Sequence, residues 1–153
     1  MAIEVGQTAP EFTLRDQHGQ PISLTSFRGR QNVVLMFYPW AFTGVCTSEL
    51  CEIRDRIATF DNDDTVTLAV SCDSQFSLRI FAEREGYTFQ LLSDFWPHGE
   101  VSRAYEVFNE KSGVSIRGTF IIDKQGVVQY AIVKGIPDAR DPGEYEKVLA
   151  SLA

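Results

Sequence analysis

An α/β domain, with a mixed central sheet and helices against it, is what three features of the 153 residues predict. Two continuous apolar runs, Asn32 to Tyr38 and Val66 to Ser71, read as strands buried on both faces. Each is followed by a segment of helical periodicity, which implies parallel pairing through right-handed crossovers. Two further runs flank Asp123-Lys124-Gln125-Gly126, a hairpin signal, and imply an antiparallel pair in the second half.

In chain order, Phe12 to Leu14 and Ile22 to Leu24 alternate on either side of a His-Gly-Gln-Pro turn and predict a small N-terminal hairpin. The strand from Asn32 stops at Pro39. Cys46, Leu50, Ile53, Ile57 and Phe60 then recur at helical spacing, so a helix is expected from about Thr43 to Phe60. After the second strand, Ser74 suits an N-cap for a helix from Phe76 to Glu85, with Gly86 closing it. Gln90 to Ser93 predicts a short strand, and Glu100 to Tyr105 a short helix. Thr119 to Ile122 and Val127 to Val133 form the late hairpin. From Pro142 onward, Tyr145, Val148, Leu149 and Leu152 share one stripe of a closing helix. These elements add up to a thioredoxin-like α/β fold, and the even composition predicts a single domain over residues 1–153.

Composition narrows the function classes. A formal charge of −7 without a Lys/Arg stripe argues against nucleic acid and against an acidic membrane surface. The N-terminal residues carry neither a basic nor an apolar leader pattern, and no run approaches the roughly 20 apolar residues of a membrane span. A cytoplasmic location is the expectation. Three cysteines there are not a disulfide framework, and the odd number directs attention to a reactive thiol.

Tyr38 to Cys51, YPWAFTGVCTSELC, is where such a thiol would sit. It places Cys46 in the first turn of a helix, whose unpaired N–H groups and dipole stabilise a thiolate. The plainer alternative is a small apolar residue in line with Leu50 and Ile53.

Pro39, Thr43 and Cys46 match the P-x-x-x-[TS]-x-x-C motif of the peroxiredoxins. GQTAPEFTLRDQHGQPISL, VSCDS and RGTFIIDKQGVVQYA extend the resemblance over the whole chain, and SDFWPHGEVSRAY resembles the one-cysteine actinobacterial type called alkyl hydroperoxide reductase E. The resemblance implies a thiol-dependent peroxidase acting on hydrogen peroxide and organic hydroperoxides in antioxidant defence, without metal or organic cofactor. It makes Cys46 the peroxidatic residue, oxidised to a sulfenic acid. Thr43 would bond thiolate and peroxide, Pro39 shield the pocket, and backbone N–H groups near Val45 and Cys46 receive developing charge. Arg117 would hold the peroxide, with Glu49 orienting it. Read without the family, Arg117 is equally a solvated strand-end residue and Glu49 an ordinary acid of a first helical turn.

Tyr38, Trp40 and Phe42, with Phe95 and Trp96 beyond, either rim a substrate pocket or belong to core and subunit interface. The resemblance implies a homodimer formed around this region. Regeneration departs from the one-cysteine pattern, because Cys46 and Cys51 have the C-x4-C spacing of the bacterioferritin comigratory protein type. On an ideal helix their Cα atoms stand roughly 8.6 Å apart. A disulfide needs less than about 7 Å, so pairing requires the first turns to unwind. Cys51 is therefore either a resolving thiol or an inert one. Cys72, at the end of the second parallel strand, is either a back-up resolving thiol or a small residue closing a strand. Without an internal partner, a low-molecular-weight thiol or a redoxin would reduce Cys46 directly. Competing readings fare worse. A dithiol oxidoreductase would need C-x-x-C at this helix start, and His18 and His98 lie apart from any paired-cysteine metal motif. A redox sensor that passes its oxidation to a partner protein would differ by lacking turnover.

Overall fold

A computed structural model describes residues 3–152. Its central sheet has seven strands in the order β2-β1-β5-β4-β3-β8-β9. The N-terminal hairpin forms from β1 (Thr13–Asp16) and β2 (Pro21–Ser23), slightly later than the alternation predicts, because Leu24 enters a short 3-10 turn at Leu24–Phe27 instead of the strand. β3 (Asn32–Phe37) is buried at every position. Its side chains alternate between two cores, Val34 and Met36 facing one layer and Val33, Leu35 and Phe37 the other, which is why the run is continuously apolar.

The long helix expected over Thr43 to Phe60 is two helices, α1 (Gly44–Asp55) and α2 (Ile57–Phe60). The chain breaks at Arg56, whose amide bonds Ile53 three residues back. Around the break the chain meets α5 (Pro142–Leu152), where Arg56 pairs with Glu146 at 2.8 Å and Phe60 meets the Tyr145 ring at 6.4 Å. Periodicity alone carries no information about those distant partners.

β4 (Thr65–Ser71) runs parallel to β3, and β5 (Gln90–Ser93) parallel to β4. Between them lies α3 (Gln75–Glu85), capped as its sequence requires. The Ser74 hydroxyl accepts from the Ser77 amide, and Gly86 closes the helix at φ 70°, a conformation that favours glycine. α4 (Glu100–Ala104) follows, then a two-stranded ribbon, β6 (Phe108–Asn109) with β7 (Val114–Ser115), too short to leave a pattern in the sequence. β8 (Arg117–Ile122) pairs antiparallel with β3 and with β9 (Val128–Lys134), completing the mixed sheet.

Helices α1, α3 and α5 cover one face through Leu50, Ile53, Phe81, Tyr145 and Leu149. On the other face, α4 and the N-terminal segment contribute Phe12, Leu14, Val101 and Tyr105. The C-terminal ends of β3, β4 and β5 all open on one edge of the sheet, and the loop leading to α1 and Cys46 leaves from there.

Candidate active site

The turn between β3 and α1 is built from side chains that fix its backbone. Tyr38 continues the ladder, its amide bonding the Val70 carbonyl, and Pro39 behind it is buried. Asp73 accepts from the Ala41 amide at 2.9 Å and from the Ser71 hydroxyl at 2.7 Å, tying this turn to the end of β4. Phe42 then takes φ 68°, strained for a residue with a side chain. Its ring is held against Phe81 at 5.0 Å and beneath the Arg84 guanidinium at 5.6 Å.

Thr43 is the N-cap by position, its carbonyl accepting from the Thr47 amide at 2.9 Å. Its hydroxyl donates to the Trp40 carbonyl at 2.9 Å, so in this conformation its proton is committed within the turn and not to Cys46. Cys46 is the third residue of α1 and fully buried. The amides of Gly44, Val45 and Cys46 precede the first helical bond, so positive dipole ends converge on this turn.

One turn further, Glu49 is buried between two arginines. Arg117 donates from Nη1 to its Oε1 at 2.6 Å. Arg140 donates from Nη2 to Oε1 and from Nε to Oε2, both at 2.9 Å, and adds its backbone amide to Oε2 at 2.7 Å. Burial alone would raise the Glu49 carboxyl, but the hydrogen bonds and charge of Arg140, with the charge of Arg117, outweigh it and hold the group below its ordinary value. Arg117 is 2% exposed, so it is not a solvated strand-end residue. Its Nε bonds the Ile136 carbonyl at 2.5 Å, and none of its hydrogen bonds among the described residues uses Nη2.

Arg140 is the residue that sequence reasoning missed. Its Nη1 reaches the carbonyls of Phe37 and Gly118 and the Thr119 hydroxyl, clamping the ends of β3 and β8 to Glu49. A lone arginine in a loop before a C-terminal helix carries no local signal of this.

The proposed pocket residues divide. Tyr38 is buried on the α1 side of the sheet. Among the described residues its hydroxyl has no hydrogen-bond partner of standard geometry, and Ser71, Asp73 and Cys46 are its electrostatic neighbours. Burial pushes that hydroxyl well above the usual tyrosine range. Trp40, Phe42 and Val45 are exposed. Phe76, Phe95 and Trp96, also exposed, arise from the loop and helix after β4 and from the loop after β5. With Leu14 and Pro21 of the hairpin they line a groove of about 580 Å³.

All three cysteines are free. Cys51 stands on the intact α1, half-buried, 3.4 Å from the Tyr87 hydroxyl and 3.9 Å from Glu85 Oε1. Cys72 shares a sheet edge with Cys46 but not a layer. It lies 3.8 Å from the Ser115 hydroxyl, which bonds Ser102 of α4 on the opposite face of the sheet. Burial raises the Cys72 thiol above its ordinary value.

Residues 5–131 match the model of the AhpC/TSA family. The chain is 48% identical over 150 residues to alkyl hydroperoxide reductase E of Mycobacterium tuberculosis, with 98% of each protein covered. A chloroplastic 2-cysteine peroxiredoxin of Chattonella marina var. antiqua is 35% identical, over 99% of this chain and 82% of its own. Among solved structures, the peroxidoxin BcpB from Mycobacterium tuberculosis superposes with a TM-score of 0.84 at 32% identity, covering 98% of this chain and 96% of that one. The reduced 2-Cys peroxiredoxin of Plasmodium vivax gives 0.85 at 29% identity, covering 95% and 80%.

Proposed function

The chain belongs to the AhpC/TSA family and is a thiol-dependent peroxidase of thioredoxin-like fold, and from that premise we propose that Cys46 is the residue that meets the peroxide. Its placement in the first turn of α1, one turn from the Glu49–Arg117–Arg140 cluster, is the observation that carries this assignment. The thiolate attacks the terminal peroxide oxygen, the O–O bond breaks, and water or an alcohol leaves after taking a proton. Cys46 is left as a sulfenic acid.

The surrounding groups have separate tasks. Amides of the α1 N-terminus stabilise the thiolate and the charge that develops on the leaving oxygen. Arg117, held by Glu49 and the Ile136 carbonyl, presents its remaining nitrogen to the peroxide. For Thr43 to donate to the thiolate, its hydroxyl turns from the Trp40 carbonyl. Buried Pro39 and Tyr38 close the pocket from beneath, and exposed Trp40, Phe42 and Val45 form an apolar approach suited to hydrogen peroxide and organic hydroperoxides.

Cys51 is the favoured resolving residue, since it shares α1 with Cys46 whereas Cys72 faces the other layer. The disulfide is then reduced by a low-molecular-weight thiol or a redoxin-type dithiol. Exposed aromatics on the edge that carries Cys46 support a homodimer formed through that edge. Among the described residues no helix is long and apolar enough to cross a membrane. In this reading the chain acts as one domain in the cytoplasm, where thiol reductants are kept reduced. The Cys46→Ser variant should consume no peroxide in the presence of a dithiol. Full activity in that variant would remove the assignment.

A further inference from the structure

Tyr87 lies just past α3 and is fixed by its ring, which stacks on Phe89 at 5.1 Å and meets Phe81 edge-on at 5.2 Å. Its hydroxyl donates to the Thr47 carbonyl at 3.1 Å and sits 3.4 Å from Cys51 Sγ. In an α-helix the Thr47 carbonyl is also the acceptor for the Cys51 amide, so one tyrosine grips both the thiol and the backbone bond that keeps Cys51 helical. Glu85 faces the same sulfur through Oε1 at 3.9 Å, and Arg54 of α1 bonds the Glu85 carbonyl at 2.7 Å.

A tyrosine hydroxyl has one proton to donate. While Cys51 is a thiol, that proton rests on the Thr47 carbonyl, and the one S–H proton is divided between two acceptors, the Tyr87 hydroxyl oxygen and Glu85 Oε1. Once the thiol is ionised, its sulfur only accepts, and the charged acceptor is the stronger one. We propose that Tyr87 is a positioning residue that latches the start of α1 closed while Cys51 is a thiol and releases it when Glu85 takes the Cys51 proton. The proposal rests on the resolving role given to Cys51. Burial, followed by the contacts with Cys51, keeps the Tyr87 hydroxyl protonated far above its usual range.

The released turn unwinds and brings Cys51 to Cys46. The Cys51 thiolate attacks the sulfenic sulfur, the S–S bond forms and the S–O bond breaks. Hydroxide leaves and takes up the proton held by Glu85, giving water. Cys51 is oxidised and the sulfenic Cys46 reduced by the same electron pair, and a dithiol later reduces the disulfide.

Tyr87→Phe keeps the ring and removes the latch. After one equivalent of peroxide, quenched-flow mass spectrometry should show the Cys46–Cys51 disulfide forming about threefold to tenfold faster than in the unaltered protein, the range expected for one net hydrogen bond. Amide exchange at Ser48 to Cys51 should accelerate similarly, sulfinic acid under excess peroxide should fall, and the first oxidation of Cys46 should keep its rate. Glu85→Gln should slow the disulfide step without faster exchange. An unchanged or slower disulfide step in Tyr87→Phe overturns the latch alone. Absence of that disulfide in the unaltered protein overturns the resolving role of Cys51 and the latch together.

Discussion

Glu49 and Arg140, 91 residues apart, meet in a forked ion pair to which Arg140 adds its own backbone amide, leaving one buried carboxylate held at three points by one residue. The same carboxylate holds Arg117, so the position of Arg117 depends on a residue outside the motif. Arg140→Lys retains the charge but cannot reproduce the fork and the three Nη1 contacts together. Urea unfolding should show a loss on the order of 3 kcal/mol, as for other broken buried pairs. With Arg117 in the peroxide-holding role proposed above, its displacement should slow peroxide reduction roughly tenfold or more.

Acid should unfold the protein partly through this cluster. The folded Glu49 value lies below its unfolded value, so its contribution is present in full above about pH 4.3 and is lost as pH falls through the depressed value. Glu49→Gln should flatten the pH dependence of the urea midpoint in that acid range. Asp94 has the opposite sign. Burial raises it despite bonds from Val101 and Ser102, so it costs stability as pH rises through the ordinary carboxylate value towards its own. Asp94→Asn should change the profile above the region where Glu49 acts.

Arg117→Ala tests the peroxide-holding role directly. Glu49 keeps its bonds to Arg140 in this variant, so circular dichroism should report an intact fold. Stopped-flow measurement of Cys46 oxidation should show a fall of about 100-fold, the scale of losing one preorganised charge-stabilising donor. A rate within twofold of the unaltered protein would assign Arg117 to packing.

Trp96 is 79% exposed and Phe76 74%, both beside the sheet edge that carries Cys46. Sedimentation velocity should find the unaltered protein as a dimer and Trp96→Glu shifted to monomer. If both sediment as monomers, the aromatic edge serves another purpose.

The stretch around Cys46 was legible because its determinants are local. A buried strand stopped by Pro39, a short turn and an amphipathic helix place a thiol at a helix N-terminus whatever surrounds them. Ser74 and Gly86 bound α3 for the same kind of reason, one side-chain cap and one positive φ. The break at Arg56 was not legible, because Ile53, Ile57 and Phe60 keep helical spacing across it.

Sequence by itself determined the mixed α/β class and the strand-turn-helix that carries Cys46, since periodicity, caps and spacing act over a few residues, while the peroxidase function came from resemblance to the family. Only the tertiary structure decided that Arg140 anchors Glu49, that Thr43 donates to Trp40, that Cys72 faces the opposite layer, and that Tyr87 touches both Cys51 and Thr47. Those relationships depend on which strand end meets which loop after the chain has closed its sheet, and neighbouring residues in the sequence do not specify them.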